Sequence, residues 1–216
     1  MRTASPLGTP LLWVVLSLCP AGLSAQNLKD IQLPQPQTDG GRPLMQVLKD
    51  RKSTRDFRPD KLPPQTLANL LWAGFGVNRH DGRRTAPSAS NHQEIDIYVA
   101  TADGLYVYDA EGNRLHAVLH DDVREKTGIQ PFVGNAPVNL VYVADLAKAG
   151  TDSAERDMDV AADTGFIAEN VYLFCASEGL ATVVRGSIDR RALSSAMRLR
   201  SDQRIILAQT VGYPPR

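Results

Sequence analysis

The sequence predicts one domain built from both helices and strands, and two observations support this prediction. The first is length, because 216 residues are enough for a single sizeable hydrophobic core and are usual for one domain. The second is that both apolar periodicities occur. Residues 94–100 alternate polar and apolar side chains as a half-buried strand does, whereas residues 154–179 carry the longest helical pattern of the chain.

The charge balance argues against a nucleic-acid binder, and the cysteine content argues against an internal disulfide. The chain has 24 basic and 24 acidic side chains and no net charge, which argues against a nucleic-acid binder that works by neutralising phosphates. There are two cysteines, Cys19 and Cys175. Cys19 lies in a predicted leader, so we expect a mature chain with one thiol and no internal disulfide. Cys175 lies in a helical pattern and is predicted to be a small buried apolar residue.

Residues 1–25 have the pattern of a secretory signal peptide. A short charged start is followed by the apolar run 11–18 and then by small residues up to Ser24 and Ala25, where cleavage is expected. The alternative is an uncleaved amphipathic or membrane-anchoring segment. We therefore expect an exported protein, periplasmic or secreted, and exclude this segment from the fold.

The rest of the chain divides into an arm and one domain. Residues 26–42 are rich in Gln, Pro and Gly and are predicted to be an extended arm or linker, whereas residues 43–216 form the domain. Helices are predicted at 43–48, 62–75, 121–126, 154–179 and 190–198. Strands are predicted at 94–100, 136–145, 180–184 and 204–213, with a β-hairpin formed by 104–108 and 114–119. His116 and His120 share one strand face without a third ligand nearby, so no metal site is predicted.

Residues 51–55, here called the cationic segment, combine three cations and two hydroxyls: Arg51, Lys52, Ser53, Thr54 and Arg55. They lie between a predicted short helix and a predicted extended segment, so three cationic and two hydroxyl side chains are available as hydrogen-bond donors within five residues. Arg presents a fixed fork of N–H groups that suits a phosphate or another planar acceptor. The alternative is that cations in the last turn of a helix complement its dipole and are otherwise solvated.

Two further polar stretches suit a bound ligand. Residues 83–93, here called the polar loop, lack apolar periodicity and concentrate turn formers and small hydrogen-bonding side chains, although an ordinary polar turn has the same composition. Residues 185–187 form a turn before a helix. The chain lacks the nucleophile elbow, the zinc-protease motif, the Walker loop and the dinucleotide-binding glycine turn. Such a set holds a ligand and leaves the chemistry to a cofactor.

Taken in order, the motifs resemble those of the flavin-dependent nitroreductase family over nearly all of residues 43–214. They are Arg51–Phe57 (RKSTRDF), Trp72–Arg79 (WAGFGVNR), Ala86–Gln93 (APSASNHQ), Glu178–Leu180 (EGL) and Val211–Pro214 (VGYP). The Leu-Pro-x-Pro arm and the tyrosine-rich hairpin are more similar to the branch that contains the azoline-forming dehydrogenases.

The resemblance implies an α+β fold with a central, mostly antiparallel sheet flanked by helices. A long central helix would lie at the interface of a homodimer, with an FMN site at each end of that interface. Arg51 and Ser53 would hold the phosphate and the ribityl chain of the flavin. Lys52 would also belong to this site. Arg55 would face the N1/C2 carbonyl edge, where a cation stabilises the reduced, anionic flavin.

The resemblance also implies contacts from elsewhere in the dimer. Pro87, Ser88 and Asn91 would come from the partner subunit. The backbone N–H of Gly186, or alternatively that of Ser187, would point at flavin N5, where hydride arrives and leaves.

Two positions depart from the family pattern. Only Arg216 could supply the second phosphate contact that relatives have near their C-terminus. Arg185 replaces an apolar residue of many relatives, and we expect it to reach the substrate side and favour an anionic partner.

The function implied is that of an FMN-dependent oxidoreductase. Hydride would pass through flavin N5 to or from a small organic substrate, such as a nitroaromatic, a quinone or an azoline-like compound. An exported location offers little NAD(P)H, so the electron donor stays open. The alternatives are an exported flavin-binding protein without turnover and a plain α+β ligand-binding module without flavin.

Overall fold

The computed structural model describes Met1 and residues 28–216. The predicted signal peptide therefore lies, apart from Met1, outside the described residues. No helix of the described part is long and apolar enough to cross a membrane.

A single seven-stranded sheet forms the centre of the described domain. Its strands are β1 (Ile31–Gln32), β2 (Ile95–Thr101), β3 (Gly104–Asp109), β4 (Arg114–Leu119), β5 (Val138–Asp145), β6 (Ala181–Arg185) and β7 (Gln203–Gly212). They are ordered β1-β4-β3-β2-β5-β7-β6, and every pairing is antiparallel. The predicted fold, a central antiparallel sheet flanked by helices, is confirmed.

Four helices pack around the sheet: α1 (Leu44–Asp50), α2 (Pro64–Phe75), α3 (Ser153–Glu178) and α4 (Arg190–Met197). Local sequence signals explain the ends of α3 and α4. The Asp152 carboxylate accepts from two backbone N–H groups at the start of α3, and Gly179 ends that helix in the left-handed region, with φ of 70°. Asp189 caps α4 in the same way by accepting from the N–H of Ala192.

The helices cover both faces of the sheet, so the interior strand β5 is buried along its whole length. On one face Leu140 packs with residues of α2 and α3, including Leu71 and Ile167. On the other face Leu193 and Met197 of α4 pack against strand residues. Burying each of these large apolar side chains contributes about 1.5–3 kcal/mol, which fixes the helices on the sheet.

Cys175 lies on α3 and is fully buried, as predicted. Burial raises the pKa of its thiol, so the thiol stays protonated and unreactive.

The arm and one short helix differ in detail from the predictions. The arm contributes the two-residue strand β1, and Leu33 is buried with 3 % of its surface exposed, so residues 31–33 are attached to the domain, whereas most of residues 34–42 are exposed. Asp30 of the arm contacts Nδ1 of His116 at 2.8 Å. The helix predicted over 121–126 is a single turn of 3-10 helix, Arg124–Thr127, because Gly128 continues in an extended conformation.

Candidate cofactor site

The cationic segment leaves α1 as an extended chain that is fixed at two points. The backbone N–H of Thr54 donates to the carbonyl of Thr182 on β6 at 2.9 Å. Phe57 is buried and its ring centroid lies 5.5 Å from that of Phe132. Because these two residues hold the backbone, the intervening side chain of Arg55 is left exposed, as are those of Lys52 and Ser53.

The three cations of this segment are not neutralised by the protein. Among the described residues no carboxylate lies within 4.0 Å of Arg51, Lys52 or Arg55. Arg42 and Arg58, which flank the segment, do have such partners in Asp50 and Asp60. Positive charge is therefore available to an anionic ligand at this place.

Tyr172 of α3 connects the cationic segment to the sheet. Its hydroxyl lies 2.8 Å from Oγ of Ser53 and accepts from the backbone N–H of Val184 at 2.9 Å. The guanidinium of Arg51 lies over the Tyr172 ring, 5.1 Å from its centroid. One buried side chain thus fixes Arg51, Ser53 and β6 relative to one another.

The turn after β6 presents an unused backbone donor. Gly186 and Ser187 are exposed, and the Gly186 carbonyl accepts from Ile188 N–H and from Arg190 at 3.0 and 3.2 Å. Within residues 28–216 no acceptor is found for the Gly186 N–H. A free N–H at this turn is what a contact to flavin N5 requires.

Arg185 does not lie where the sequence predicted. Its side chain is buried, with 4 % exposure, and it donates to Oγ1 of Thr210, the carbonyl of Thr127 and Oδ1 of Asn139 at 3.0, 2.6 and 2.9 Å. Successive side chains of a strand point to opposite faces, and Val184 packs into the core on the α3 side. Arg185 therefore points to the opposite face of the sheet, where it is buried, and the prediction that it reaches a substrate is wrong.

Backbone geometry holds the polar loop in a defined shape. The N–H of Ala89 donates to Oδ2 of Asp163 on α3 at 2.8 Å, and the N–H of Gln93 donates to Oγ of Ser88 at 3.0 Å. Three non-glycine residues of this loop have positive φ: Ser90, Asn91 and Gln93, with φ of 48°, 56° and 49°. Strained backbone of this kind is concentrated at binding sites. Pro87 and Asn91 remain exposed.

The anchor of this loop, Asp163, is one of two buried carboxyl groups. Glu94 is 1 % exposed and Asp163 is 3 % exposed. Neither carboxyl oxygen of Glu94 has a hydrogen-bond partner among the described residues. Burial, reinforced by the negative charge of Asp163, raises the pKa of Glu94, and burial raises the pKa of Asp163 as well.

The two regions contact α3 at different places. Asp163, which holds the polar loop, and Tyr172, which contacts the cationic segment, are nine residues apart in the helix. With a rise of 1.5 Å per residue they are separated by about 14 Å along the helix axis. Within one chain Thr54, and Ser53 through Tyr172, are tied to β6, the strand that ends just before Gly186. The polar loop is tied to α3 at Asp163. Arg216 is exposed and makes no hydrogen bond to the described residues.

Part of α3 and α1 exposes apolar side chains. Large exposed apolar residues on these helices are Leu44, Met45, Leu48, Met158 and Phe166. Gly165 lies beside Phe166, and a Cβ there would meet no described atom within 4 Å. This surface has room for a second helix to approach closely.

Sequence reasoning missed the side chains that hold the site together. Tyr172, Asp163 and Glu94 were not singled out as site residues, although Asp163 lies on the buried side of an otherwise apolar helix pattern. A carboxylate at such a position needs a donor, and this requirement was the signal that could have identified it.

Comparisons with known proteins identify the family of the chain. The model of the Nitroreductase family matches residues 48–213. A proposed nitroreductase of Methanocaldococcus jannaschii is 30 % identical over 155 residues, which cover 67 % of this chain and 78 % of that protein. The crystal structure of a proposed nitroreductase from Ralstonia eutropha is 44 % identical, with a TM-score of 0.84 and coverage of 88 % of this chain and 92 % of that one.

A more distant structure shares the fold. It is an NADPH:FMN oxidoreductase from Vibrio harveyi in complex with NAD+, with 20 % identity, a TM-score of 0.62 and coverage of 80 % of this chain and 69 % of that one. The family match spans well over half of the chain, and the Methanocaldococcus and Ralstonia proteins are similar over most of it. The chain belongs to the nitroreductase family, whose members are flavin-dependent oxidoreductases.

Proposed function

We propose that this protein is a homodimeric FMN-dependent oxidoreductase that transfers hydride to or from a small organic substrate: a nitroaromatic, a quinone or an azoline-like compound. The observation that carries the proposal is the set of three cations in residues 51–55 that have no carboxylate partner among the described residues. Arg51 lies on the ring of Tyr172, whose hydroxyl contacts Ser53 and also Val184 of the strand that ends before Gly186. Bound FMN would supply the hydride chemistry at N5, and the protein would supply binding, orientation and charge.

The residues present fit a flavin mononucleotide. The phosphate needs cations and hydroxyl donors, which Arg51, Lys52 and Ser53 offer on the surface of the domain. A groove of about 430 Å³ opens beside them, lined by Lys52, Thr54 and Tyr172 among others. Pro214 also lines this groove, so Arg216 two residues later could reach a bound phosphate.

Two further groups of the chain would act on the ring system. Arg55 is exposed and has no carboxylate partner within residues 28–216, and a cation at the N1/C2 edge would stabilise the negative charge of the reduced ring. The Gly186 N–H would donate to N5 and fix the ring against the turn. This arrangement uses no acid–base pair of side chains, because orientation and charge are sufficient for hydride transfer.

A second subunit would complete the site. Pro87, Ser88 and Asn91 are held at a different place on α3 from the cationic segment, about 14 Å along its axis. The exposed apolar surface of α1 and α3 would be covered by the two-fold-related copy. Such a dimer would bring the polar loop of one protomer to the cations of its partner, at each end of the interface.

We also propose that the signal-like residues 1–25 direct the protein out of the cytoplasm. Outside the cytoplasm the electron donor would be a reduced partner other than NAD(P)H, or the substrate itself, as in a dehydrogenase. N-terminal sequencing of the mature protein from separated periplasmic and cytoplasmic fractions tests export. A full-length N-terminus found only in the cytoplasmic fraction would contradict it.

The absorbance spectrum of the purified protein tests the cofactor. We expect yellow protein that releases FMN on denaturation, and an Arg55→Ala variant with weaker FMN binding and a lower midpoint potential. Arg55→Lys keeps the charge and serves as the matched control. An Arg55→Ala variant with unchanged FMN affinity and potential would contradict the role given to Arg55.

Stopped-flow mixing of the reduced protein with quinones or nitroaromatics tests turnover. An oxidoreductase is reoxidised rapidly and in proportion to acceptor concentration. A flavoprotein that is reoxidised no faster than free reduced FMN would favour the alternative of a binding protein without turnover.

A further inference from the structure

We propose that the buried, unpaired guanidinium of Arg185 is a fixed positive charge behind the turn at Gly186 and makes the bound flavin easier to reduce. The inference rests on the proposed function, because it needs FMN to lie against Gly186. It gives Arg185 an electrostatic role that differs from the substrate contact expected from the sequence.

Among the described residues, Arg185 donates hydrogen bonds to neutral groups alone. Its four hydrogen bonds go to Oγ1 of Thr210, to the carbonyl and Oγ1 of Thr127, and to Oδ1 of Asn139. No carboxylate of the described residues lies within 4.0 Å of it. Burial lowers the pKa of Arg185 to about 10, so the group remains a full cation at neutral pH.

The surroundings hold this cation in one place. A Cβ on Gly128 would lie 1.9 Å from Nη1 of Arg185, so the guanidinium occupies the space that a side chain would need. Gly128 has an extended backbone with φ of −176°, which any residue can adopt, so it is the space that requires glycine here. Oε1 of Gln130 would lie 2.6 Å from that Cβ position on Gly128, and it has no hydrogen-bond partner among the described residues. Gln130 is therefore a neighbour of the guanidinium.

A charge in this setting acts over a longer distance than a surface charge. The interior has a lower effective dielectric constant than water, and neither a carboxylate nor bulk salt screens the group. Arg185 immediately precedes Gly186, whose N–H is free to contact flavin N5. Uptake of hydride gives the flavin a negative charge, so a fixed cation nearby favours the reduced form. A purely structural role, tying β6 to residues 127–130, would affect stability alone.

The test is to neutralise the charge without removing the arginine. Gln130→Glu places a carboxylate beside the guanidinium with almost no change of shape. We expect the affinity for reduced FMN relative to oxidised FMN to fall about tenfold, which corresponds to a midpoint potential lower by about 30 mV for a two-electron couple. Arg185→Met should lower the ratio as much or more. Gln130→Met, which adds no charge, is the matched control and should leave the ratio within about twofold of wild type.

FMN titrations of oxidised and reduced protein, together with a redox titration and a melting curve for each variant, give the answer. Variants that fold, bind oxidised FMN and keep the wild-type ratio would overturn the inference even if their melting temperatures fall. If Arg185→Met does not fold, Gln130→Glu decides the question. Wild-type protein that binds no FMN would refute the proposed function and this inference together, whereas an unchanged ratio in FMN-binding variants refutes the inference alone.

Discussion

The cationic segment and the polar loop are both anchored on α3, but in opposite ways. In the cationic segment side chains are held: Ser53 contacts Tyr172 and the Arg51 guanidinium lies on the tyrosine ring. In the polar loop the backbone is held, because the Ala89 N–H donates to the buried carboxyl of Asp163. The first region therefore offers charge to a ligand, whereas the second offers a fixed shape. Their anchors are about 14 Å apart along one helix, and we propose that a second subunit brings the two regions together in one site.

The largest effect is expected from separating the two regions. Phe166 is 48 % exposed on α3, so Phe166→Glu should cost the monomer little stability but should prevent a second helix from packing there. We expect loss of the dimer and an FMN affinity lower by at least about 100-fold, because about half of the contacts would be missing. Sedimentation velocity and a fluorescence titration measure both quantities.

Ile31→Glu is the control for this change, because Ile31 is also exposed, at 39 %, but lies on β1. It should leave both the dimer and FMN binding intact. A monomeric Phe166→Glu variant that binds FMN as wild type does would show that the cationic segment is sufficient alone.

A second prediction concerns charge in the cationic segment. Arg51→Ala should weaken FMN binding by about 10- to 100-fold, the usual value of a hydrogen bond to a charged group. Arg58→Ala is a close control, because both guanidinium groups lie 5.1 Å from a tyrosine centroid, but Arg58 has Asp60 as a neighbour. Isothermal titration should show a change of less than about threefold for Arg58→Ala. Equal losses in both variants would mean that the cations act through general charge.

The third prediction concerns the anchor of the cationic segment. Tyr172→Phe removes the hydroxyl that contacts Ser53 and leaves the Val184 N–H without its acceptor. We expect a loss of about 1–2 kcal/mol in the free energy of unfolding and FMN binding weaker by about 3- to 10-fold. Urea denaturation measures the free energy of unfolding, and FMN titration measures the affinity. Tyr142→Phe, which loses a bond to Gln209 in the core, should cost stability with no specific effect on FMN.

The smallest expected effect concerns the anchor of the polar loop. Burial raises the pKa of Glu94, so folded protein binds a proton that unfolded protein releases. Stability should therefore fall as the pH rises above the ordinary carboxyl range, and the loss should be complete above the folded-state pKa. Glu94→Gln should reduce this slope, leaving the part that comes from the raised pKa of Asp163, and should raise the melting temperature at about pH 8 by roughly 2–4 °C. A wild-type melting temperature that does not vary between about pH 5 and pH 8 would contradict the assignment.

Local signals were predicted well from the sequence. The caps Gly179 and Asp189 act within a few residues, so the sequence alone indicates where α3 ends and where α4 begins. The hairpin and the central strands follow from alternation and turn residues. The helix expected at 121–126 was too short for periodicity to separate an α-helix from a 3-10 turn.

Contacts between distant residues could not be predicted in the same way. Ser53 and Tyr172 are 119 residues apart in the chain, and no local pattern pairs them. The prediction for Arg185 failed because the face on which a strand residue lies depends on the packing of β6 against α3. The side-chain chemistry of residues 51–55 predicts a ligand site and the resemblance to the family names the ligand, whereas the contacts of Tyr172 and Asp163 required the structure.

The most direct test of the central claim, that each site combines residues of two subunits, is to mix two inactive variants. One variant, Arg51→Ala, damages the cationic segment. The other, Pro87→Glu, places a carboxylate on the exposed polar loop, which would meet the cationic segment of the partner protomer. Each homodimer should bind FMN weakly. A mixed dimer should contain one site with both regions intact and should bind one FMN per dimer at about wild-type affinity. Mixed dimers that bind FMN no better than the two parents would contradict the account.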